Sequence, residues 1–147
     1  MPSDKPAAAR KDAHLDLALD PGTRSQGENG FDRISFTHCA LPEMRLDAVD
    51  LTTEFLGYPL SAPLMIGAMT GGTARAEQIN QALALAAQQQ LIAFAVGSQR
   101  AGLEAGQTAR QLRNLAPHIP IIGNLGGVQL AQSGGLDLAK AAIDDLQ

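Results

Sequence analysis

The sequence predicts an α/β fold of consecutive parallel βα units. Three apolar runs each stop at a small, glycine-containing turn: Pro63–Ile66 at Gly67, Ala95-Val96 at Gly97, and Ile121-Ile122 at Gly123. Helical periodicity follows each turn. The strand centres near Ile66, Ala95 and Ile122 lie 29 and 27 residues apart, and a βαβ crossover takes about 30 residues. The turns carry Thr70, Ser98 with Arg100, and Asn124. Polar groups at successive ends of parallel strands form a wall against which a ligand can lie.

Residues 1–9 hold two prolines and little to bury, so they read as a mobile tail. Arg10 to Leu19 reads as a short helix with Leu15, Ala18 and Leu19 on one side, ended by Pro21-Gly22. Thr23 to Gly30 is polar and reads as a loop. Phe31 to Pro42 alternates like a strand, with Ile34 and Phe36 on one face. Leu46 to Leu56 suggests a second extended piece, and Gly57-Tyr58-Pro59 a turn. Residues 10–61 are therefore read as an arm and a lead-in segment packed beside the main sheet.

The βα units occupy 62–147. The first strand, 63–68, leads to a helix at 74–89 whose inner face carries Ile79, Leu83 and Ala86. Thr73 is its expected N-cap, because a hydroxyl there can accept from a free backbone N–H. The second strand, 91–97, precedes a helix at 104–116 with Ala109, Leu112 and Leu115 inward. The third strand, 120–125, precedes a helix at 135–147 with Ala139, Ala142 and Ile143 inward. A three-stranded parallel sheet has two bare edges. The expectation is a fragment, the N-terminal part of a doubly wound sheet or of an eight-stranded barrel.

Composition narrows the function. The 147 residues are 45% apolar but only 3% aromatic, with no Trp, which disfavours a base-stacking surface. A net charge of −4 offers no polyanion footprint, so no nucleic-acid partner is expected. One cysteine, Cys39, excludes an internal disulfide and fits a reducing compartment. No apolar run reaches the roughly 18–20 residues of a membrane span. A cytoplasmic protein is the resulting expectation.

Several stretches together resemble type 2 isopentenyl-diphosphate isomerase, the flavin-dependent form. They are Arg10-Lys11-Asp12-Ala13-His14, Phe36-Thr37-His38-Cys39-Ala40-Leu41-Pro42-Glu43 and Asp50-Leu51-Thr52-Thr53-Glu54-Phe55-Leu56-Gly57. Ser61 to Gly72, Val96-Gly97-Ser98-Gln99-Arg100 and Asn124-Leu125-Gly126 complete the set. The resemblance spans nearly all of residues 10–130. It implies the first three βα units of a (β/α)8 barrel that binds FMN at its strand ends. It also implies interconversion of isopentenyl and dimethylallyl diphosphate, with NADPH reducing the flavin and Mg²⁺ assisting the diphosphate. The reduced flavin then serves as the acid–base group, consistent with cofactors carrying the difficult chemistry. A tetramer or octamer is implied for the full-length family.

Individual residues weigh differently. Met69-Thr70-Gly71-Gly72 reads from its chemistry either as a ligand turn or as a strand-to-helix turn using glycine dihedrals. The resemblance places Ala68, Met69 and Thr70 against FMN. Ser98 and Arg100 could clamp a diphosphate or be ordinary loop residues; the resemblance gives Ser98 to both FMN and substrate, and Arg100 to substrate. Asn124 can donate and accept at a flavin edge or satisfy a turn, and the resemblance makes it an FMN ligand. Arg10 and Lys11 read by composition as a solvated arm, and by resemblance as diphosphate ligands; His14 is a supporting candidate. His38 and Cys39, adjacent in a strand-like run, should point to opposite faces and be structural. His118 reads as a loop histidine. No spacing suggests a metal cage, and Glu43 and Glu54 have no support as Mg²⁺ ligands; the family's metal ligand is expected beyond Gln147. No catalytic side chain is assigned.

Two other readings stand beside this one. Another FMN barrel, of the 2-hydroxy-acid oxidase kind, shares fold and flavin, although a small carboxylate substrate does not need three cations. Alternatively the chain is catalytically silent by itself and needs a partner polypeptide to supply the rest.

Overall fold

The computed structural model describes residues 7–25, 27–104, 106 and 108–147. Most of the expected tail, residues 1–6, lies outside the described residues. The described chain is a mixed α/β structure with two small sheets and no closed barrel. Helix α1 (Ala7–Leu19) opens it. A hairpin follows, β1 (Thr53–Phe55) antiparallel to β2 (Tyr58–Leu60). Then come β3 (Met65–Ile66), α2 (Ala74–Gln90), β4 (Ala93–Ala95), α3 (Arg100–Glu104), α4 (Arg110–Leu115), β5 (Ile121–Ile122), α5 (Gly127–Leu130) and α6 (Gly135–Asp144).

The second sheet is parallel throughout, in the order β3-β4-β5. Met65 faces Ala93, Phe94 faces Ile121, and Ala95 faces Ile122. β4 is central and wholly buried, as its unbroken apolar run requires. Its Phe94, and Val96 just past its end, pack with Ala84 and Ala87 of α2, Leu112 and Ala116 from the α4 region, Ile119 and Leu146. Alanines on α2 bring that helix close to the sheet. Thr73 caps α2, its Oγ1 accepting from the Ala76 N–H at 3.1 Å. Leu91 ends the helix with a left-handed backbone, φ 48°.

Four expectations need correction. Phe31 to Pro42 is not a strand: it holds one 3-10 turn, Phe31–Arg33, and otherwise irregular chain, with Phe36 92% exposed. Alternation alone makes no strand where no neighbour takes up the ladder hydrogen bonds. The turn at 57–59 lies one residue earlier, at Leu56-Gly57, both with positive φ. Tyr58 and Pro59 belong to β2, where Pro is tolerated because a two-stranded ribbon has only edge strands. Where one helix was expected over 104–116, α3 ends at Glu104 and α4 covers only Arg110–Leu115. Asp145 caps the second, accepting from the Ala109 N–H at 2.9 Å and from the Thr108 hydroxyl at 2.6 Å. Finally, Ala86 and Ile143 are exposed rather than inward, Ile143 at 58%; the inner face of α2 runs through Ala76, Ala84 and Ala87 instead.

Candidate functional site

At the C-terminal ends of β3 and β4 the chain encloses a hollow of about 350 Å³. Arg10, Lys11, His14 and Leu15 line it from α1, Met69, Thr70 and Gly71 from the β3 exit, and Ser98 and Arg100 from the β4 exit. None of these nine residues is acidic. Two stretches of sequence almost ninety residues apart meet here.

Three contacts hold α1 over the strand ends. The Lys11 ammonium donates to the Gly71 carbonyl. The Thr73 hydroxyl donates to Asp12 at 2.9 Å, so the residue that caps α2 also anchors the arm. Arg75 pairs with Asp16 at 2.6 Å, and Leu15 is buried beneath. Gly72 sits beside the Lys11 ammonium. Its φ is +78°, and a Cβ there would lie 2.8 Å from the Lys11 Nζ.

The β3 and β4 exits touch through bare backbone. A Cβ on Gly97 would fall 2.1 Å from the Thr70 carbonyl oxygen, and one on Gly71 3.1 Å from that of Ser98. Asn80 of α2 reaches across to donate to the Thr70 carbonyl at 3.0 Å. Thr70 is thereby fixed and buried, while Met69 beside it is 66% exposed.

The cations crowd one another. Burial, and then the positive charge of Arg100, hold the Lys11 amine below its usual 10.5. Arg100 has a neighbour outside the hollow, Glu104, one helical turn on at 3.4 Å. Because the folded value of Lys11 is depressed, its contribution to stability improves as pH rises through that value towards 10.5. A bound polyanion reverses the shift. Pyrophosphate binding should therefore take up protons in the window between the lowered value and 10.5 and take up none through Lys11 below it. Calorimetric titrations in buffers of different ionisation enthalpy check this; uptake that persists in Lys11→Met would remove Lys11 as the source.

The structure thus brings together Arg10, Lys11, Met69, Thr70, Ser98 and Arg100, and adds His14. It leaves two sequence-read residues out of the hollow. Ala68 is exposed at the β3 exit and does not line it. Asn124 lines a neighbouring groove with Gln99, Gly123, Leu125 and Ala142. The three strand ends therefore do not share one cavity: Thr70 and Ser98 do, and Asn124 stands beside it. His38 and Cys39 are both exposed on irregular chain, so the opposite-face argument loses its strand. The His118 N–H donates to Gln88 in a turn. Among the described residues no group of His, Cys, Asp or Glu is placed to hold a metal ion, and no helix is long and apolar enough to cross a membrane.

Gln99 is the residue that sequence reading passed over. It is only 8% exposed. Its Nε2 donates to the Ala142 carbonyl at 3.0 Å, its Oε1 accepts from the Asn124 N–H at 3.2 Å, and its own N–H donates to the Asn124 carbonyl at 3.0 Å. The available signal was its place between Ser98 and Arg100, which in extended chain sends it to the opposite side.

An α/β chain with parallel strands thus carries, at their carboxyl ends, a basic hollow without acidic lining, a place chemically suited to an anion. The chain belongs to the FMN-dependent dehydrogenase family, whose pattern matches residues 16–114. It is similar to the isopentenyl-diphosphate delta-isomerase of Xanthobacter autotrophicus, 52% identical over 142 residues, covering 94% of this chain and 41% of that protein. The enzymes of the same name from Cronobacter sakazakii and a Synechococcus species are 46% and 49% identical, over 96% and 82% of this chain and 42% and 36% of theirs. The chain thus spans about two-fifths of the length of these curated relatives. The likeness read from its motifs is borne out.

Proposed function

We propose that this chain supplies the diphosphate-holding part of an FMN-dependent isomerase that interconverts isopentenyl and dimethylallyl diphosphate. The carrying observation is the hollow itself: Arg10, Lys11 and Arg100 converge with Ser98, and no carboxylate lines the space. A diphosphate is a multiply charged anion, and such a cluster offsets its charge through hydrogen bonds strengthened by the charge on both partners. Arg100 presents a planar fork and Lys11 a point charge. The alkene tail carries nothing to anchor it, so the anion must hold the molecule in register.

The flavin, when bound and reduced, supplies the proton transfers. In this reading Ala68, Met69 and Thr70 border it, Ser98 meets both it and the substrate, and Asn124 meets its edge from the adjoining groove. Residues 10–61 form the arm and lead-in, and 62–147 the first three βα units of a (β/α)8 barrel. NADPH as the flavin's reductant, Mg²⁺ on the diphosphate, a homo-oligomeric assembly and a cytoplasmic location complete the proposal. The bare edges of β3 and β5 favour a further point. Turnover requires the remaining strands, so the chain alone binds the anion without converting it.

Isothermal titration tests the reading. Isopentenyl diphosphate should bind at least tenfold more tightly than glycolate, a small 2-hydroxy acid, and isopentenol should not bind. Glycolate binding as tightly as the diphosphate would transfer the chain to the 2-hydroxy-acid oxidase kind.

A further inference from the structure

The hollow accounts for the cations, but not for why a buried, uncharged amide stands between two of the residues that line it. We propose that Gln99 is a positioning residue that sets Asn124 at the flavin edge; the flavin part rests on the functional reading above. Two kinds of observation converge on it. Backbone and side chain of Gln99 together make a two-point clamp on Asn124: the Gln99 N–H meets the Asn124 carbonyl at 3.0 Å, and Oε1 takes the Asn124 N–H at 3.2 Å. The remaining amide donor runs to the Ala142 carbonyl of α6 at 3.0 Å, so the clamp is itself braced against a helix.

Gly123 is shaped to this role. A Cβ there would sit 2.6 Å from the Gln99 Oε1. The absence of a side chain just before Asn124 leaves the space through which the amide reaches. A planar amide with one acceptor and two donors meets both demands at once. An apolar side chain would leave the Asn124 N–H and the Ala142 carbonyl without these partners. A carboxylate would keep the acceptor and set an anion against a carbonyl. Gln99 does not line the basic hollow, so its effect on Asn124 is separable from anion binding.

The test uses the 147-residue chain and its Gln99→Leu variant, with Gln99→Met, which also lacks the acceptor for the Asn124 N–H, as a second variant should the first fold poorly. Three quantities are read: amide hydrogen exchange at Asn124, pyrophosphate affinity, and FMN affinity from flavin fluorescence. The expected result is exchange at Asn124 faster by at least tenfold, pyrophosphate affinity within twofold of the parent, and FMN bound at least fivefold more weakly. Unchanged exchange at Asn124 would overturn the proposal, as would pyrophosphate affinity falling in step with FMN. If the parent chain shows no FMN quenching, the flavin reading of Asn124 fails. The clamp is then judged by the exchange result alone.

Discussion

Replacing Gly97 by alanine should cost the chain about 3 kcal/mol or more of folding stability. The added methyl would fall 2.1 Å from the Thr70 carbonyl oxygen and 2.7 Å from its nitrogen. Both are backbone atoms, so no side chain can rotate away; a strand end must move. β4 is the central strand, and the displacement would be passed to β3 and β5 together. Gly71→Ala is the matched control. Its Cβ would meet the Ser98 carbonyl at 3.1 Å, a contact that a shift of a few tenths of an ångström relieves. Urea titration should therefore show a much lower midpoint for Gly97→Ala, with a small decrease for Gly71→Ala. Equal midpoints would mean that the two strand exits do not pass each other as described.

Removing the guanidinium of Arg100 should weaken pyrophosphate binding by roughly 10- to 150-fold, the equivalent of one charge-assisted contact of about 1.5–3 kcal/mol. Arg100→Lys should fall between, because an ammonium keeps the charge and loses the fork. The loss should shrink as salt is raised, since the hollow is open to solvent and its field is screened. Lys11→Met should lose affinity too, and the two losses should not add. Arg100 depresses the charged state of Lys11, so deleting one relieves the other. Calorimetry on the two single variants and the double variant reads this directly. Full additivity would place the two cations on separate ligands.

Much of the parallel core was legible because its causes are local. Val96 and Ile122 sit in apolar runs that end in glycine, and Thr73 stands where α2 needs a cap. Other features depend on partners distant in sequence. Phe31 to Pro42 has the alternation of a strand without a neighbour to pair with. The break between α3 and α4 is stabilised by Asp145, more than thirty residues downstream. For the site, residue chemistry nominated Ser98 and Arg100, and the family likeness added Arg10 and Lys11 before any geometry was known. Their meeting is tertiary, made by Lys11 on Gly71 and Asp12 on Thr73. Asn124 was nominated with them, yet the fold sets it in the next groove, held by Gln99.

The attachment of α1 has a thermodynamic consequence. The helix is held by a few polar contacts and one buried leucine, at the end of a long irregular stretch. Releasing it would take Arg10 and Lys11 away while leaving the three strands paired. Every measured dissociation constant for an anion is then the intrinsic one divided by the fraction of molecules with the helix seated. Substitutions at Asp12 or Asp16, which do not line the hollow, should alter affinity through that fraction.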